Sequence, residues 1–100
     1  MKTILLSADG LLSVYSVPEI VADNLDEYCS EFCNKWLLES PHAEKYRVGV
    51  GVCYDERDFI QYLNEWILPD SPSNFVETLD NVWVGSEIPE KYKNCAWFNF

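Results

Sequence analysis

Basic side chains and histidine are what this chain of 100 residues has least of. Seven Lys and Arg stand against seventeen Asp and Glu, and His42 is the one histidine. A formal net charge of -10 makes a surface that a nucleic-acid backbone repels. Histidine is the side chain that most often titrates near neutral pH, so a single copy leaves little equipment for acid–base catalysis. Long apolar runs are also missing. No stretch approaches the ~18 residues that span a bilayer. The run Ile4-Leu5-Leu6 that follows Lys2 is soon cut by Asp9-Gly10, well short of the apolar segment of a secretory signal. The expectation is a cytoplasmic protein with no membrane partner and no direct binding of nucleic acid.

Glycine is scarce as well, with four in the chain. The one close pair, Gly49-x-Gly51, has Tyr54 where a dinucleotide fingerprint needs a third glycine. The helix expected next opens with Asp55, Glu56 and Asp58, which repel phosphate. Four cysteines occur, and in a reducing compartment they stay thiols. Cys29 and Cys33 lack the two-residue gap of common zinc knuckles, and His42 lies well beyond them. They are expected to be buried and to act as small hydrophobes, with no metal and no cofactor. A Cys–His nucleophile pair finds no support in spacing, because Pro41-His42 reads as an exposed loop.

What the chain does have is core material. Hydrophobic residues make up 48%, with four Trp, six Tyr and five Phe, far from a disordered acidic tail. One domain over 1–100 follows from that length. Like-charge repulsion predicts a stability that rises modestly with salt.

Lys2 to Ala8 and Leu11 to Val17 read as strands joined by an Asp9-Gly10 turn, a strong hairpin signal, with Pro18 ending the second. From Asp23 to about Glu39, the residues Leu25, Tyr28, Cys29, Phe32, Trp36 and Leu37 recur at helical spacing, with Asp23 as the expected N-cap and Ser40-Pro41 as the stop. Lys45 to Tyr54 alternates valine with glycine and predicts a strand whose bare face admits a close neighbour. A second helix follows, capped by Asp55 with Asp58 three residues on. Its stripe is Phe59, Ile60, Leu63, Trp66 and Ile67, and Pro69 ends it. Two short strands, Phe75–Leu79 and Val82–Val84 across an Asp80-Asn81 turn, compete with a helix over 73–81. One helical turn over Pro89–Lys93 and an apolar terminal strand complete the pattern. The fold class is α+β: an N-terminal β-hairpin, further strands and two amphipathic helices, ordered roughly β-β-α-β-α-β.

Two features point to function. Asp23, Glu27 and Glu31 recur at i, i+4 and i+8, away from the apolar stripe. Like charges at that spacing cost a helix about 0.2–0.5 kcal/mol per pair, where lysines would have stabilised it. Such a stripe suits docking on a basic protein, as inhibitors, immunity proteins and nucleic-acid mimics do. The second feature is Trp97-Phe98-Asn99-Phe100, which either completes the core or forms a patch for a partner, a homodimer included. A binding protein is therefore the leading expectation. The alternative is a small-molecule module or minor enzyme using the Gly49/Gly51 face, with Cys53 or Tyr54 nearby.

Overall fold

A computed structural model describes residues 1–8, 11–83 and 88–100, with the backbone alone over 80–83. Strands β1 (Lys2–Ser7) and β2 (Leu11–Val17) form the expected antiparallel hairpin, in register from Lys2 opposite Val17 to Leu6 opposite Ser13. The Asp9-Gly10 turn itself lies outside the described residues. Two distant strands complete a mixed sheet of order β5-β2-β1-β6. Strand β5 (Asn74–Trp83) runs antiparallel to β2, and β6 (Ala96–Asn99) runs parallel to β1. The class is α+β, as the sequence indicates.

Ile4, Leu5 and Leu6 are all fully buried, because both faces of the central hairpin are covered. Ile4, Leu6, Tyr15 and Val17 face the helices. Leu5, Leu12 and Val14 point the other way, against Leu79, Tyr92, Ile88 and Cys95. The second layer is closed by a short 3-10 turn over Glu90–Tyr92, where a helical turn was expected.

The first helical region begins earlier than its periodicity suggests. Helix α1 (Glu19–Asp23) follows Pro18 directly, and a break at Asn24 (φ -131°, ψ 37°) separates it from α2 (Leu25–Glu31). Asp23 is therefore not an N-cap but the last residue of α1. The Asn24 side chain instead donates back to the Ile20 carbonyl at 3.0 Å. Helix α2 widens into a π-turn (Phe32–Trp36), in which Leu37 N–H reaches the Phe32 carbonyl, and ends as α3 (Leu37–Glu39). Leu25, Cys29, Phe32 and Leu37 are buried as expected.

The Lys45 to Tyr54 segment is not one strand. A 3-10 turn (Pro41–Tyr46) leads into a hairpin with arms of two residues each, β3 (Arg47–Val48) and β4 (Gly51–Val52). Gly49 at φ +59° supplies the left-handed conformation that the turn needs and that valine resists. The alternation fails because a positive-φ turn outweighs periodicity here: Val50 is fully exposed, and a Cβ on Gly49 would meet nothing within 4 Å. The Arg47 guanidinium anchors this hairpin by donating to the Leu37 and Ser40 carbonyls at 3.4 and 2.7 Å, so a cation closes the helix C-terminus.

Helix α4 (Glu56–Tyr62) opens with the expected capping box. Asp55 accepts from the Arg57 and Asp58 N–H groups at 2.9 and 3.3 Å, while Asp58 accepts from Asp55 N–H at 2.9 Å. Replacing Asp55 with Ala is expected to cost about 1 kcal/mol of stability, read as a lower urea midpoint at unchanged slope. An unchanged midpoint would mean that the cap contributes nothing. Like the first region, α4 ends in a π-turn (Leu63–Ile67), closed by Leu68 N–H on the Leu63 carbonyl at 2.8 Å. The wider turn shifts the helical phase, so Tyr62 is buried while Trp66 and Ile67 of the expected stripe are exposed. Beyond Pro69, Asn64 clamps the return of the chain through both backbone groups of Ser73. Strand β5 then runs unbroken across Asp80-Asn81, replacing both the expected pair of short strands and the competing helix. It is stabilised by pairing with β2 that local sequence does not report. Val84 lies outside the described residues.

Candidate functional site

The three acids singled out by spacing do not form one row. Asp23 ends α1 on the far side of the Asn24 break, and the Lys2 ammonium sits on it at 2.6 Å. That hydrogen bond and the carboxylate charge raise the Lys2 pKa above its ordinary value. Both partners are half exposed, so the pair adds little to stability. Glu27 and Glu31 do share α2, one turn apart, and Glu31 is answered by Lys35 one turn on at 3.5 Å. Glu27 has no ion pair among the described residues, and neither do its exposed neighbours Glu19 and Asp26.

The basic side chains are all engaged within the fold. Lys2, Lys35, Arg57, Lys91 and Lys93 are in ion pairs. Lys45 lies over the Tyr46 ring at 5.1 Å, and Arg47 holds backbone carbonyls. Five acids have no ion pair or side-chain hydrogen bond among the described residues and lie on the stretch from 19 to 44: Glu19, Asp26, Glu27, Glu39 and Glu44. A helix-borne negative field therefore faces water on this side of the molecule.

Apolar side chains break that field in two places. A shallow groove of about 340 Å³ runs between Ile20, Tyr28, Glu27 and Glu31. A second, of about 460 Å³, lies between Asp23, Asp26, Glu27 and the β6 residue Trp97. Glu27 borders both. Ile20 and Trp97 are 54% and 53% exposed, large for an apolar residue on an otherwise charged face. The terminal aromatics thus divide between the two roles expected of them. Phe98 and Phe100 pack on the core cluster, while Trp97, one step along the strand, points outward. Spacing missed Ile20 and Asp26. Trp97 was visible as a patch residue, but its separation from Phe98 and Phe100 depends on how β6 docks on β1.

The other candidate chemistry disperses. His42 stacks on the Trp66 ring at 4.1 Å. Burial pushes the Cys29, Cys33 and Cys95 thiols up, which keeps them protonated and poor nucleophiles. Cys33 also accepts a hydrogen bond from the Tyr54 hydroxyl at 3.5 Å. No three of His, Cys, Asp and Glu converge as a metal site among the described residues. Gly49 and Gly51 sit in a turn open to solvent rather than on the face of a strand, so the alternative small-molecule site loses its surface there. No helix of the described residues is long and apolar enough to cross a membrane. No protein-family model matches the chain, and no curated protein and no solved structure is similar to it.

Proposed function

We propose that this protein is a binding module that docks a basic protein surface through α1, α2 and the adjoining β6 edge. One observation carries this reading: Asp26 and Glu27, without ion pairs among the described residues, flank an exposed Trp97 while every basic side chain is engaged internally. Acids on the rim steer a cationic partner and raise its association rate. A tryptophan ringed by polar groups is the commonest kind of anchor at a protein interface. A partner that itself binds nucleic acid, such as a nuclease, a toxin or another nucleic-acid enzyme, has the complementary charge. The cytoplasm is the compartment proposed, and a homodimer through the same edge is a weaker reading, because two copies bring like charges together.

The test is retention of a cytoplasmic lysate on the immobilised protein, eluted by a salt gradient, followed by kinetics with the basic protein recovered. Changing Asp26→Asn, Glu27→Gln and Glu31→Gln together is expected to slow association about tenfold at low salt and to flatten its salt dependence. Trp97→Ala is expected to act on dissociation instead, by about thirtyfold for an anchor worth 2 kcal/mol. An unchanged on-rate in the triple variant removes this face from the interaction.

A further inference from the structure

At the opposite edge of the sheet from β6, a cavity of about 420 Å³ opens between β2, β5 and the start of α4. Its position explains an oddity of β2. The helix-facing row of that strand is Leu11, Ser13, Tyr15 and Val17, and serine interrupts it at a site only 6% exposed. The Ser13 hydroxyl contacts a Glu56 carboxylate oxygen at 3.5 Å, and Thr78 lies directly across from Ser13 in the β2–β5 register. Tyr15 is 2% exposed, yet its hydroxyl has no hydrogen-bond partner among the described residues. Phe75 sets its ring edge-to-face on Tyr15, centroids 5.6 Å apart, and is itself more than half exposed. The pocket thus presents hydroxyl oxygens and a carboxylate beside an aromatic wall.

The charge balance selects the ligand. Arg57 also borders the cavity, but its Nη2 and Nε both donate to Asp55 Oδ2, at 2.9 and 3.3 Å, so its charge is answered next door. A carboxylate has about four acceptor positions, so Glu56 serves a ligand alongside its contact with Ser13. Burial, then the charges of Glu56 and Asp55, push the Tyr15 pKa up to about 12 against the opposing effect of Arg57. The field at that hydroxyl is therefore net negative, and at neutral pH the hydroxyl is protonated with its lone pairs available as acceptors. We propose that this cavity binds a small organic cation, a primary or methylated alkylammonium, with Glu56, Ser13 and Thr78 as acceptors and the Phe75 ring as its apolar wall. The site is independent of the acidic face and stands or falls separately from it.

Titration of the whole protein with n-butylammonium and tetramethylammonium chlorides, followed by backbone amide NMR at constant ionic strength, tests it. Saturable shifts centred on Ser13, Phe75 and Thr78 are expected, with none from sodium acetate. Glu56→Gln should weaken binding about tenfold and Phe75→Ala about threefold, as loss of a charge and of a cation–π wall at a partly exposed site. Arg57→Ala should tighten it. Phe75 and Thr78 are exposed, so Phe75→Ala and Thr78→Val read the site even if Glu56→Gln does not fold. Shifts that never saturate, binding unaffected by Phe75→Ala and Thr78→Val, or acetate binding that Arg57→Ala abolishes would each overturn the assignment.

Discussion

Replacing Phe32 with Ala is expected to remove about 3–5 kcal/mol of stability, the cost of deleting a large ring from a packed core. Phe32 is fully buried and is the ring on which the aromatic core converges. Its centroid lies 5.1 Å from Tyr62, 5.5 Å from Phe59, 5.6 Å from Tyr54, 5.8 Å from Trp36 and 6.0 Å from Phe100. Those five side chains come from the π-turn after α2, the segment before α4, α4 itself and the end of β6, so one truncation loosens every element of the helical layer. Domains of this size hold a total of only about 5–15 kcal/mol, which makes the variant marginal at physiological temperature. Leu38→Ala is the control. Leu38 is 53% exposed, a few residues away, and its truncation should stay within about 0.5 kcal/mol. Urea denaturation of both variants decides it. A loss below about 1 kcal/mol for Phe32→Ala would mean that the ring cluster is not the stabilising core.

Alkaline pH is expected to act nearly as strongly. Burial raises the Tyr15 pKa from 10.0 to about 12, and burial together with the hydrogen bond to Cys33 raises Tyr54 equally far. Burial raises the Cys29 thiol as well. In each case the folded chain holds its proton more tightly than the unfolded chain. The stability these groups contribute is therefore fully present below the ordinary pKa values. It is lost as pH climbs from about 9, where an unfolded thiol ionises, through the tyrosine range to about 12. A shift of one pKa unit corresponds to about 1.4 kcal/mol. Tyr54 is partly exposed and its share is discounted for solvent screening, so the two tyrosines together lose on the order of 3 kcal/mol by pH 12. The urea midpoint should fall over that range in step with tyrosinate absorbance, and Tyr54→Phe should blunt the fall. A midpoint that stays level to pH 12 would contradict the burial of these hydroxyls.

The parts of this fold that were legible in the sequence are those governed by neighbours along the chain. The Asp55–Asp58 capping box, the β1–β2 hairpin and the buried row Leu25, Cys29, Phe32 and Leu37 each follow from local chemistry or a period of 2 or 3.6 residues. Three features escaped that logic. The Asn24 break has no proline or glycine to announce it. The π-turns have no composition of their own, yet they re-aim everything after them, which is why Trp66 faces water and Tyr62 does not. The Val-Gly alternation at 48–52 satisfied a strand period while Gly49 required a turn. The acidic face was half legible for the same reason. Glu27 and Glu31 share a helix and were paired correctly by spacing, whereas Asp23 fell beyond the break. Trp97 became part of the face only through the docking of β6, a contact between the two ends of the chain.

That docking sets the order in which the molecule can be made. Ile4 sits opposite Ala96 and Ser7 opposite Asn99, so β1 gains its second neighbour only after almost all of the chain has been synthesised. Until then the hairpin exposes an unpaired strand edge beside three consecutive large aliphatic side chains, a template for pairing with other nascent chains. Contacts of such long sequence separation also slow the final closure of the sheet. Synthesis rate and chaperone supply, more than equilibrium stability, would then decide how much of this protein reaches its folded state.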